Sequence, residues 1–208
     1  MPVLELPIPS LTQLLSRLVA VVLASGVLGF GVAWLAGRAG DPGPRYDGRR
    51  SLSPFPHFDL VAILHALFFR CAWIKPVDVD RSILKGGWLG RILVVLGSCA
   101  LLALASAVAL ALRAAAARYI PGNAGITVGL LLATFSDLAV VTALINLLPA
   151  PPMVGALLLP LGQGAVKALK RPLAYWLACA VVIALSLLGV TGKLASAVVP
   201  AWRGLLGY

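Results

Sequence analysis

Charge is scarce in this chain: Asp, Glu, Lys and Arg make up 12% of its 208 residues, against about 25% in an average soluble domain. That excludes a water-soluble surface over most of its length. Acidic residues number seven and histidines two, so few groups are available to hold a metal or to act as general acid and base. Cys71, Cys99 and Cys179 lie in apolar segments with no C-x-x-C spacing, so they give no sign of a zinc ribbon or a disulfide framework. They read as buried small residues. There is no internal repeat and no hydrophilic stretch large enough to fold alone, the longest being the loop 37–57.

What is abundant is apolar. Hydrophobic residues reach 61%, and charge-free runs occur at 18–36, 92–112 and 172–190, each near the roughly 20 residues that cross a bilayer. A fourth run, 126–148, is interrupted only by Ser136 and Asp137. The sequence therefore predicts an integral membrane protein, all-α and polytopic, forming one domain with about four transmembrane helices. The run 18–36 exceeds the roughly 7–15-residue core of a signal peptide and no A-x-A site follows it, so it is expected to stay as a helix. Ahead of it, "PIPSLTQLLSRL" places Ser10 as the cap of a short surface helix.

Two shorter pieces complete the pattern. Residues 58–74 are interrupted by His65 and Arg70 and are too short to span, so they are expected to be re-entrant or interfacial. Residues 153–166, with Pro160 and Gln163, also read as partial penetration. If both dip in from one side, loops 37–91 and 149–171 share a face and carry twelve of the seventeen basic residues, Lys167 and Lys170 among them. The positive-inside rule then puts that face in the cytoplasm and both termini outside. A net charge of +10 has its explanation there; no basic helix face or aromatic platform points to nucleic acid. Trp73, Trp88, Tyr119, Trp176 and Trp202 sit near the ends of apolar pieces, where aromatic rings settle at headgroup level.

Two features call for chemistry. "INLLPAPPMVGA", residues 145–156, ends an apolar run in Pro149, Pro151 and Pro152. Prolines cannot donate backbone hydrogen bonds, and carbonyls freed in a membrane need protein or water as partners. The stretch is either a helix stop at the interface or unwound backbone lining a cavity. Asp137 lies eleven residues before Leu148, about 16 Å along a helix. A carboxylate at that depth is a functional candidate; the plainer reading pairs it with a neighbouring helix through Ser136, His65 or Arg70.

The segment "NLLPAPPMVG", Asn146–Gly155, resembles the N-x-x-P-x-P-P-x-D-G motif of the site-2 protease family, intramembrane zinc metallopeptidases. "GDPGPRYDGRRSLSPFPHFD" (40–59) and "WIKPVDVD" (73–80) resemble the segments that follow the zinc-binding helix in compact bacterial members. The three stretches come in the family's order. Active members carry H-E-x-x-H about eight residues before the G-D-P turn, two histidines for zinc and a glutamate as general base. Here the corresponding places fall on Leu28, Gly29 and Val32, and the aspartate of the D-G pair is Val154. None of the four can bind zinc or take a proton. His57 and Asp59 could approach one another, but two ligands fall short of the three that catalytic zinc needs; the resemblance gives them a structural place at the entry to 58–74.

The resemblance thus implies a site-2-protease-like core without catalysis, cofactor or metal. Asn146, Pro149, Pro151, Pro152 and Gly155 would be kept as the edge of a groove. Small residues Ser25, Gly26, Gly29 and Gly31 would let helices pack closely, with Leu28, Phe30, Val32 and Val154 filling or closing the zinc pocket. The expected function is a non-catalytic binding, scaffold or assembly subunit of a larger complex in the bacterial cytoplasmic membrane. Its expected partners are integral membrane proteins or transmembrane helices and the surrounding lipid. Two alternatives stay open: an active intramembrane zinc protease with unrecognised ligands, and a small transporter built on Asp137.

Overall fold

The first helix begins where the sequence provides a cap. In the computed structural model, which describes residues 9–161, 164–165, 168 and 171–208, Ser10 Oγ accepts from Gln13 N at 3.3 Å and Gln13 Oε1 accepts from Ser10 N at 3.2 Å. This reciprocal pair satisfies two amides that a helix start leaves unpaired. From it α1 (Leu11–Arg38) runs unbroken. The expected surface helix and the expected span 18–36 are therefore one helix, because no proline or turn signal separates them.

The next long elements are α4 (Trp88–Tyr119) and α5 (Gly122–Ile145). α4 overruns the expected 92–112 at both ends, since the alanine run after Arg113 is a good helix former outside the apolar window as well as inside it. α5 starts earlier than the expected 126 and stops at Ile145, so Leu147 and Leu148 already belong to the turn. The last expected span, 172–190, is α6 (Pro172–Leu187), followed by a break and by α7 (Val190–Leu205), a helix the sequence reading did not anticipate. Gly189 makes the break with φ +79°, and the two helices are bent by 70°. Among the described residues three helices, α1, α4 and α5, are long and apolar enough to cross a membrane, and the bent α6–α7 pair makes a fourth if it counts as one span.

Between α1 and α4 the chain forms a single turn, α2 (Gly43–Tyr46), a 3-10 turn at Phe55–His57, and α3 (Leu60–Phe69). Ten residues give α3 about 15 Å, half of what a span needs. Asp59 caps its start and Arg70, at φ +60°, ends it. The chain then runs buried through Cys71, Ala72, Trp73 and Ile74. After α5 the piece 153–166 begins as a 3-10 turn, Val154–Leu158; Gln163, Lys167 and Lys170 lie outside the described residues. All regular structure among the described residues is helical.

α1, α4 and α5 pack against one another, with α3 and α6 on one side and α7 lying on α5. The small-residue face of α1 is used differently from expectation. A Cβ on Gly31 would come within 3.2 Å of Ser98 Cα on α4, a helix–helix approach, but one on Gly26 would meet Leu52 O at 2.8 Å. That face therefore receives the loop as well as a helix. Two of the expected headgroup anchors turn to the protein instead: Trp73 is 1% exposed, and the half-buried Trp202 donates from Nε1 to Ser106 Oγ at 3.0 Å. Ser106 in turn bonds Ser136 Oγ at 2.8 Å, so one polar cluster ties α4, α5 and α7. Trp88, Tyr119 and Trp176 remain exposed.

Asp137 has a partner, and it is none of Ser136, His65 or Arg70. Arg203 on α7 donates from Nη2 to both carboxylate oxygens at 2.7 and 2.8 Å and from Nε at 3.1 Å. Sequence distance hid the pair, because α7 folds back on α5 only after the break at Gly189. With side chains 31% and 17% exposed, Asp137→Ala is expected to cost about 1–3 kcal/mol, below the 3–5 typical of breaking a fully buried pair. Unfolding in detergent should show that loss, and Asp137→Leu combined with Arg203→Met should recover most of it.

Candidate functional site

Asn146 is the residue on which the site is built. α5 ends there, and its side chain, fully buried, turns to the chain beside it. Nδ2 donates to Ala72 O at 3.0 Å and to Thr142 O at 2.9 Å, while Oδ1 accepts from Val154 N at 3.4 Å. Its backbone carbonyl accepts from Gly155 N at 2.7 Å. Thr142, one turn earlier, accepts the N–H of Ala72 on Oγ1 at 3.1 Å. One amide thus joins the end of α5, the buried extended segment 71–74 and the loop that the prolines open. Helical backbone supplies nothing to these orphan groups, so side chains must.

Gly155 is fixed by the same closure. A Cβ there would lie 2.3 Å from Leu148 O and 2.5 Å from Leu147 O, so no larger residue fits while the loop folds back. Pro149, Pro151 and Pro152 hold residues 147–153 out of helix. Pro151, Pro152, Met153 and Val154 line a cavity of about 480 Å³ together with Ile74, Val77, Asp78, Val79 and Arg81 and with Tyr175 and Trp176 of α6.

The four positions that the motif comparison singles out separate here. Val32 and Val154 both line this cavity. Leu28 is fully buried in the core and does not line it. Gly29 lies under His57: a Cβ on Gly29 would be 2.1 Å from Nδ1 of that ring. Phe30 stacks on Trp34 at 6.4 Å instead of plugging the site. Of the residues expected to fill or close a pocket, Val32 and Val154 line an open cavity, and an imidazole occupies the space above Gly29.

His57 and Asp59 have separate duties. His57 Nε2 donates to Ser51 O at 3.1 Å, leaving Nδ1 buried without a partner. Asp59 accepts from Ala62 N at 3.0 Å as the cap of α3 and from the hydroxyl of Tyr175. No group of three His, Cys, Asp or Glu side chains gathers among the described residues. The rim is braced by two residues whose roles the sequence did not disclose. Asp41, 3% exposed, accepts from Gly43 N and Asp80 N, both at 2.8 Å. Arg81 donates to Ala156 O at 2.8 Å and Leu159 O at 3.0 Å. Thr142 was legible in principle, four residues before Asn146 and so on its face of the helix; nothing local marks Arg81 or Tyr175.

The arrangement offers an open trough whose walls are mostly apolar, with Asp78 and Arg81 also lining it. It can hold a chain segment or an apolar ligand. Comparison with known protein families, with curated proteins and with solved structures finds no match.

Two outcomes test the geometry. Asn146→Ala would leave Ala72 O and Val154 N without their partner in a buried place, at about 1–3 kcal/mol for each such group. A loss of about 2–4 kcal/mol and faster proteolysis within 147–155 are expected. His57 carries the second: burial first, and the nearby Arg49 as well, hold its pKa below the usual 6.5, against the raising effect of the Ser51 carbonyl. Protonation would place an N–H against Gly29 with nothing to accept it. With a folded pKa below the unfolded one, the stabilisation is complete above pH 6.5 and falls as pH drops through the folded value. Unfolding midpoints measured from pH 7 to 5 should decline for the wild type and decline less for His57→Phe.

Proposed function

We propose that the chain is a non-catalytic binding subunit of a membrane complex, with a degenerate site-2-protease-like core, that holds a segment of another integral membrane protein in the trough beside Val32 and Val154. The observation that carries the reading is the coincidence of two facts: valines stand at both cavity-lining positions where the motif comparison expects a zinc ligand, and the cavity is nonetheless open. A core that had merely decayed would gain dispersion contacts by closing over such a void. Here the backbone round it is fixed in place by the hydrogen bonds of Asn146, Asp41 and Arg81.

The apolar walls suit a transmembrane helix or its unwound end. The basic loops 37–91 and 149–171 are assigned to the cytoplasmic face of a bacterial inner membrane on the positive-inside rule. The transporter alternative has less support: Asp137, its only intramembrane carboxylate candidate, is already neutralised by Arg203. The protease alternative would need ligands that the trough walls do not bring together.

A photo-crosslinking residue placed at Val77 or at Val154 tests the reading in the native membrane. One discrete partner, linked through a single transmembrane segment and absent when the probe sits at the exposed Leu130, is the expected outcome, with no zinc in the purified complex. Stoichiometric zinc, or equal labelling from Leu130, would remove the proposal.

A further inference from the structure

A second cavity, of about 830 Å³, lies at the break between α6 and α7. Its chemistry differs from that of the trough. Arg17 of α1 and Arg70 at the end of α3 both line it, like charges brought to one space. Arg17 is partly engaged, donating to Leu67 O. The guanidinium of Arg70 makes no hydrogen bond or ion pair among the described residues. Asp137 also lines the cavity, but Arg203 neutralises it through both oxygens. Among the described residues, the cavity therefore holds two positive charges with no carboxylate left to balance them.

The start of α7 closes the same space. Gly189, Thr191 and Gly192 line it, and no side chain caps this helix. The N–H groups of Val190, Thr191 and Gly192 thus lack helical partners and carry the positive end of the helix dipole. Thr191 is 7% exposed and its Oγ1 has no hydrogen-bond partner. An unpaired buried hydroxyl, an uncapped helix start and two arginines that converge on one cavity are together the donor set that a tetrahedral oxyanion requires.

We propose that this cavity binds a phosphate group, held by Arg17, Arg70 and the first turn of α7. Phe68 and Val199 give the cavity apolar wall as well, which fits the headgroup of an anionic phospholipid whose chains continue along the helices. A water-soluble phosphate shares the same chemistry. The inference is independent of the trough and of its occupant.

The test uses the full-length protein, purified in detergent, stripped of lipid, and supplied separately with phosphatidylglycerol, phosphatidylcholine or inorganic phosphate. Native mass spectrometry counts bound lipid, and the thermal midpoint reads protection. The expected result is one phosphatidylglycerol per chain, preferred over phosphatidylcholine and weakened about tenfold by Arg70→Gln, a charge-assisted contact being lost. Thr191→Val should weaken binding too, yet leave the ligand-free midpoint unchanged, because its hydroxyl has no partner to lose. Protection by inorganic phosphate alone, sensitive to both variants, would support the site and identify its ligand as water-soluble. Phosphatidylglycerol binding unaltered in both variants, or no protection by any of the three, would overturn the proposal.

Discussion

The interaction on which the rest depends is the side-chain amide of Asn146. A helix that ends inside an apolar protein exposes carbonyls that nothing in the lipid can satisfy. Asn146 meets that demand from within the helix, by bonding back to Thr142 O, and in the same stroke takes the carbonyl of Ala72 and the amide of Val154. The end of α5, the loop just after it and the distant segment at Ala72 are joined at one point. The prolines beyond it keep the loop from continuing the helix, but they do not position it; the amide does.

Polar contacts elsewhere follow the same logic. In an apolar interior a hydrogen bond has no water to compete with, and an unpaired group has none to fall back on. Ser106, Ser136 and Trp202 tie α7 to α4 and α5, and Asp137 with Arg203 does so a second time. α7 is the most amphipathic of the helices by sequence, with Lys193 and Arg203 among Leu194, Val198 and Trp202. It lies on the bundle where Trp202 meets Ser106 and Arg203 meets Asp137.

The long helices were legible because length and hydropathy alone define them, and the proline run marked where α5 had to give way to the loop that brings Asn146 and Gly155 together. Ends were less legible. α1 and α4 overran their apolar windows because alanine, leucine and arginine propagate a helix regardless of what the lipid wants. α5 fell short because Asn146 terminates it from inside. α7 was missed because a 70° break at one glycine does not register in a hydropathy window. Partners at long range, Arg203 for Asp137 and Tyr175 for Asp59, are set by tertiary packing and leave no local mark. His57 over Gly29 belongs to the same kind: the glycine was noticed for its size, and what its missing side chain makes room for is visible only in the fold.

α6 connects these observations. Its Tyr175 wall belongs to the trough and its C-terminal end to the second cavity. Asp59 receives the hydroxyl of Tyr175, and His65 bonds Ser186 Oγ at 2.8 Å, so the short α3 grips α6 at two points. These points are eleven residues apart on α6, about 16 Å, and α6 otherwise presents Leu173, Leu177, Val181 and Leu185 outward. α6 is thus anchored by polar contacts toward both ends, with Cys179 buried between them. Because it lines both cavities, a shift of α6 would change the shape of each. Coupling between them requires an occupant that favours one setting of α6 over another, and the two grips from α3 are where that preference would be registered.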